Sequence, residues 1–91
     1  MRVLIIEDEI RLAANIAAAL RQGVGLAVDC AHDGSEGAAL VEFEHYDLLL
    51  LDLMLPGLDG LSIVRRTRAR GDRTPILVLT ARTSGATWSR F

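Results

Sequence analysis

The sequence contains no lysine; its ten basic residues are all arginine. A mechanism that needs a lysine amine, as a Schiff-base former or a compact point charge, has no such group within these 91 residues. One cysteine, Cys30, excludes an internal disulfide and any metal site built from several thiolates. No apolar run approaches the roughly 18–20 residues that cross a bilayer. The N-terminal run Val3-Leu4-Ile5-Ile6 meets acids too soon for a signal peptide. Excess positive charge is lacking too: the formal net charge is −2, which gives no electrostatic footprint for nucleic acid. A cytoplasmic chain with no membrane or direct nucleic-acid contact is expected. What is present is 51% hydrophobic and 24% charged residues, the balance of one folded domain rather than a disordered segment.

Apolar runs and helical periods alternate along the chain. Residues 2–6 read as a buried strand that ends at Glu7-Asp8-Glu9. Ile10, Ala13, Ala14, Ala17 and Leu20 predict a helix over 10–22, stopped by Gly23 and Gly25. Residues 26–30 form a second strand candidate. Asp33 stands three residues before Glu36, the capping-box spacing, and predicts a helix over 34–44. Leu48-Leu-Leu-Leu51 is too short for a helix and is bounded by polar and turn residues, so it reads as a central strand buried on both faces. Pro56-Gly57 marks a turn. Asp59 caps a third helix over 60–69, whose arginines at 65, 66, 68 and 70 suit its C-terminal dipole. Residues 76–79 form a fourth strand. The order β-α-β-α-β-α-β predicts an α/β, doubly wound parallel sheet with helices on both faces. Beyond Ala81 the period fails, and residues 83–91 read as an irregular tail after a domain of residues 1–82.

Ligands of open α/β sheets bind beyond the carboxyl ends of the strands. Glu7 and Asp8 follow the first strand, Asp52 the third and Thr80 the fourth. With strands one and three adjacent, three carboxylates share one crevice, where they repel each other unless a cation intervenes. Such a set of hard oxygens suits Mg²⁺. An aspartate beside that cation can act as a nucleophile toward phosphorus, and a hydroxyl from Thr80 can donate to the phosphoryl group. Glu9 reads as a plain helix-end acid. His32 and His45 read as surface residues or caps, Cys30 as a small buried hydrophobe, and the arginines at 65–70 as a solvated helix face.

Three stretches, Val3-Leu-Ile-Ile-Glu-Asp-Glu9, Asp47-Leu-Leu-Leu-Leu-Asp-Leu-Met-Leu-Pro-Gly-Leu-Asp-Gly60 and Thr74-Pro-Ile-Leu-Val-Leu-Thr-Ala81, resemble the receiver domain of bacterial two-component response regulators, OmpR/PhoB class. The resemblance implies a flavodoxin-like (CheY-like) sheet, here incomplete, with four strands in order 2-1-3-4 and three main helices. It implies that Asp52 is the phospho-acceptor, that Glu7, Asp8, Asp52 and the backbone carbonyl of Met54 hold Mg²⁺, and that Thr80 bonds the phosphoryl group. Pro56 and Gly57 shape the loop after Asp52, and Gly60 either admits the next helix closely or is a plain first-turn glycine. The implied partner is a sensor histidine kinase, and the implied parent is a DNA-binding transcription regulator.

A full receiver continues into a fourth helix, a fifth strand bearing a lysine, and a fifth helix. The sequence departs from that pattern after about residue 82, so it reads as a receiver truncated before the fifth strand, with phosphotransfer impaired. In that reading strand four is an apolar, unguarded edge, and one sheet face is partly bare. The expectation is a homodimer or swapped oligomer, paired through strand four or by exchanged elements, with Trp88 and Phe91 as candidate cover. The alternative function is an inert, self-associating receiver fragment without phosphotransfer. An enzyme is not expected: Met54 stands where an aspartyl-phosphate phosphatase carries its second acid, and acids replace the glycine-rich turn of a dinucleotide enzyme.

Overall fold

A computed structural model describes the backbone of residues 1–83 and 85–90 and the side chains of residues 1–79. Its elements are β1 (Arg2–Ile6), α1 (Ile10–Val24), β2 (Ala27–Ala31), α2 (Gly34–Phe43), β3 (Leu48–Asp52), α3 (Gly60–Ala69), β4 (Ile76–Thr83) and β5 (Gly85–Arg90). The first four strands are parallel and lie in the order 2-1-3-4. β1 sits between β2 and β3, with Ile6 paired to both Ala31 and Leu51. That alignment brings the carboxyl ends of β1 and β3 side by side.

The strands are apolar on both faces because both faces are covered. On one face α1 lays Ala13 and Ala17 against Val3, Ile5, Val28 and Leu50. On the other, α2 and α3 bring Val41, Ile63 and Val64 onto Leu4, Ile6, Leu49 and Leu51. Each buried Leu or Ile is worth about 1.5–3 kcal/mol, so the two half-cores dominate stability. The helix ends follow the expected chemistry. Gly25 closes α1 at φ 67; its N–H donates to the Arg21 carbonyl at 3.1 Å, and the N–H of Leu26 donates to the Leu20 carbonyl at 3.3 Å. Asp33 accepts from the N–H of Glu36 at 2.7 Å, while Glu36 reaches back to the N–H of His32 at 3.2 Å, one residue earlier than a standard capping box. Asp59 caps α3 by accepting from the N–H of Ser62 at 2.8 Å.

The C-terminal stretch corrects the sequence reading. Residues 83–91 were expected to be irregular, yet the backbone of Gly85–Arg90 forms β5, antiparallel to β4, with Leu79 opposite Trp88 and a register shift between Thr80 and Thr83. β4 runs on to Thr83 rather than stopping near 79, and it is an inner strand. The expected route to oligomers through an open β4 edge is therefore closed by the chain itself. A hairpin carries no apolar alternation requirement when its backbone bonds go to a neighbour already in place, which is why periodicity missed it. The side chains of Trp88 and Phe91, proposed as cover, lie outside the described residues. The open edges are β2 and β5. On β2 the guanidinium of Arg21 donates to the carbonyl of Val28 at 2.6 Å.

At the amino ends of the strands, Tyr46 is buried and its hydroxyl donates to Asp29 at 2.7 Å. Arg2 lies 4.7 Å from the Tyr46 ring centroid and pairs with Asp29 at 3.0 Å. Burial first, then the bond to Asp29, pushes the Tyr46 phenol up to about 12. A folded value above the ordinary one near 10 stabilises the fold fully below about pH 10, and the contribution fades as pH rises through about 12. Because Tyr46 is the sole tyrosine, phenolate absorbance reports it alone. The native chain is expected to titrate near 12 and the chain in denaturant near 10; a native midpoint at the denatured position would show that the Asp29 bond does not form.

Candidate functional site

Two sharp exits from the sheet build the site. β1 ends at Ile6, and Glu7 continues the strand direction with its N–H donated to the carbonyl of Ala31 at 2.9 Å. β3 ends on Asp52 itself. The carboxylate oxygens of Glu7, Asp8 and Asp52 lie within 4.8 Å of one another. Glu7 and Asp52 are buried, at 4% and 8% exposure, and Asp8 is exposed at the rim. A buried pair of acids with a third beside it is electrostatically unfavourable on its own. Burial first, then a hydrogen bond shared with Asp52, pushes the Glu7 carboxyl up to about 7, against a smaller opposing effect from the N–H of Glu9. That N–H reaches Glu7 Oε1 at 3.2 Å.

The loop after Asp52 is held closely. The N–H of Met54 donates to Asp52 Oδ1 at 2.9 Å, which fixes the carboxylate plane. The N–H of Gly60 donates to the Leu53 carbonyl at 3.2 Å, and a Cβ at Gly60 would stand 2.5 Å from the Asp52 carbonyl oxygen. Of the two readings of Gly60, close approach is the one the backbone supports. Across the loop, the N–H of Gly34 donates to the Pro56 carbonyl at 3.1 Å, and a Cβ on Gly34 would strike the Leu58 carbonyl. Gly57 turns the loop at φ 75.

The sequence reading thus placed Glu7, Asp8 and Asp52 correctly in one crevice. Met54 is beside them through its backbone, and its side chain is exposed. Thr80 follows Leu79, the register partner of Asp52, so its backbone is one residue past the site's level; its side chain lies outside the described residues. One neighbour was missed. His32 was read as a surface residue or cap, yet its ring Nδ1 lies 3.0 Å from the Glu7 carbonyl oxygen, and the residue is half-buried. The available signal was its position one residue past β2, the strand beside β1. His45 lies apart from the site, exposed, near Asp47. Cys30 is half-buried at the β2 edge.

The donor set fits a small, hard divalent cation: three carboxylates converge, two of them already desolvated, and the excess negative charge has no arginine partner in the ion pairs of the described residues. The response regulator receiver domain model matches residues 3–90. The chain belongs to the response regulator receiver family. This receiver is 46% identical over 86 residues to the transcriptional regulatory protein TctD of Salmonella typhimurium, covering 94% of the chain and 38% of TctD. It is 42% identical over 84 residues to the response regulator MprA of Mycobacterium avium, covering 92% of the chain and 36% of MprA. These relatives are regulators of the OmpR/PhoB type, and the receiver spans well under half of their length. Among solved structures it resembles the receiver domain of Francisella response regulator 1452, with TM-score 0.83 and 31% identity over 91% of this chain and 68% of that one. It also resembles the response regulator TrrA of Thermotoga maritima, solved in complex with Mg²⁺ and BeF, with TM-score 0.83 and 29% identity over 90% of this chain and 70% of that one. Among the described residues, no helix of the receiver is long and apolar enough to cross a membrane.

Proposed function

We propose that this receiver is a cytoplasmic phospho-accepting module that takes a phosphoryl group onto Asp52 from a sensor histidine kinase. The observation that carries the reading is the convergence of Glu7, Asp8 and Asp52 within 4.8 Å at the ends of two adjacent strands. The N–H of Met54 holds Asp52 Oδ1, which leaves Oδ2 as the attacking oxygen. That oxygen forms the new bond to phosphorus while the donor's bond to phosphorus breaks, giving an acyl phosphate. Glu7, Asp8, Asp52 and the Met54 backbone carbonyl would hold Mg²⁺. When bound, the cation offsets the carboxylate charge and the charge of the phosphoryl oxygens. Thr80 is the candidate hydroxyl donor to the phosphoryl group. The module is not an enzyme acting on an external substrate, and its parent is a DNA-binding transcription regulator, a reading supported by its likeness to TctD, a transcriptional regulatory protein.

Incubation with acetyl phosphate and Mg²⁺ tests the reading. Intact-mass analysis is expected to show one hydroxylamine-labile phosphoryl group on the wild type, none on Asp52→Ala, and none when EDTA replaces Mg²⁺. Equal labelling of wild type and Asp52→Ala would remove Asp52 from its role. A second reading, an inert fragment that binds a kinase without phosphotransfer, is favoured by one fact: no lysine is present in the 91 residues to contact the phosphoryl oxygens. It predicts kinase binding that is independent of Mg²⁺ and an unlabelled wild type.

A further inference from the structure

The outer face formed by α2 and α3 has the composition of an interface. Phe43, at the C-terminal end of α2, is 79% exposed, the largest exposure among the bulky apolar side chains of the described residues. Beside it lies a groove of about 290 Å³ between the two helices, walled by Ala39, Glu42 and Phe43 on α2 and by Arg66 on α3, with Leu58 at one end. The small side chain of Ala39 leaves the trough shallow and open to a bulky group from outside.

Charge is segregated across this groove. α2 carries Glu36 and Glu42 and no base, and Glu44 caps it. α3 carries Arg65, Arg66 and Arg68, is capped by Arg70, and has no acid within its span. Glu42 and the arginines at 65, 66 and 70 make no ion pair among the described residues. At the negative end of the α2 dipole Glu44 is already paired with Arg2 at 3.5 Å, which leaves Glu42 as the unpaired acid of a last turn that holds no cation of its own.

We propose that this face is a two-fold interface between two copies of the chain, with the symmetry axis running along the groove. Rotation about such an axis lays the acidic α2 of each copy over the basic α3 of the other. Glu42 then faces Arg66 of the partner subunit, twice by symmetry, and each Phe43 enters the opposing groove. A second copy fits because the chain supplies both halves of the match: an acidic helix ending in an aromatic anchor, and a basic wall beside an apolar trough. The interface leaves the acidic crevice and both open sheet edges free, so it differs from pairing through strands.

Sedimentation velocity on the 91-residue chain across micromolar concentrations tests this. The wild type is expected to shift from monomer to dimer as concentration rises. Phe43→Ser, Glu42→Arg and Arg66→Glu, all at exposed positions, should each weaken the dimer by about tenfold or more. The doubly swapped Glu42→Arg/Arg66→Glu chain should regain it, and an equimolar mixture of the two single charge variants should form a mixed dimer. Circular dichroism checks that each variant is folded. A wild type that stays monomeric overturns the proposal, as does a dimer insensitive to all three single variants or a double swap that fails to restore association.

Discussion

Asp52→Asn is expected to change stability in opposite senses without and with a divalent cation. In EDTA the substitution keeps the oxygen that accepts from Met54 and removes one of two adjacent buried negative charges. The metal-free fold should gain about 1–2 kcal/mol. With Mg²⁺ at about ten times its dissociation constant, the wild type should gain about 1.4 kcal/mol from binding, and the asparagine variant much less. Glu7 adds a pH signature. Its carboxyl sits at about 7 in the fold against an ordinary 4.5, so the folded state holds the proton more tightly than the unfolded one. The resulting stability is complete below about pH 4.5 and is lost as pH rises through 7. In EDTA, wild-type stability from this group should therefore fall between about pH 5 and 8, by on the order of 2 kcal/mol, and fall less in Asp52→Asn. Urea unfolding followed by circular dichroism, with and without Mg²⁺, measures all of these. An asparagine variant that responds to Mg²⁺ as strongly as wild type would mean that the cation binds elsewhere.

Gly34→Ala and Gly60→Ala should be the most destabilising of the methyl additions. At Gly34 the added carbon runs into the Leu58 carbonyl, and at Gly60 into the Asp52 carbonyl and the Leu53 Cα. Both obstacles are backbone, which cannot rotate away, so the loop between β3 and α3 must shift. A cost of about 3 kcal/mol is expected at each. Gly23→Ala is the contrasting case. It lies within α1 with nothing in reach of a new methyl, so alanine should stabilise by about 0.5–1 kcal/mol. Chemical denaturation midpoints of the three variants check the ordering. Gly60→Ala should in addition weaken Mg²⁺ binding, because its obstacle is the residue that carries the candidate acceptor. A Gly60→Ala chain as stable as wild type would show that α3 does not approach β3 this closely.

Most of the parallel sheet was readable in advance because each strand is a short aliphatic run bounded by a polar or turn residue, as at Asp47 and Asp52 around the four leucines of β3. The crevice was readable because strand order alone brings Glu7 and Asp52 together. The hairpin was not. Gly85–Arg90 has no apolar alternation, and its pairing rests on backbone bonds to an existing edge, which leave little trace in side-chain pattern. His32 was missed for a related reason. Its contact is to a main-chain carbonyl on a neighbouring strand, and residue type says nothing about where a carbonyl points. The double use of small residues was half visible: Gly60 was marked, but the collision that makes Gly34 indispensable involves a loop 24 positions away.

The guanidinium that Arg21 places on the Val28 carbonyl has a bearing on how the molecule ages. β2 is a flank of the sheet, and the first bond an incoming strand would seek there is already taken by a charged group. A chain stacking onto that flank to start a fibril would have to displace this bond, so a side chain borrowed from a helix puts one local obstacle in its way.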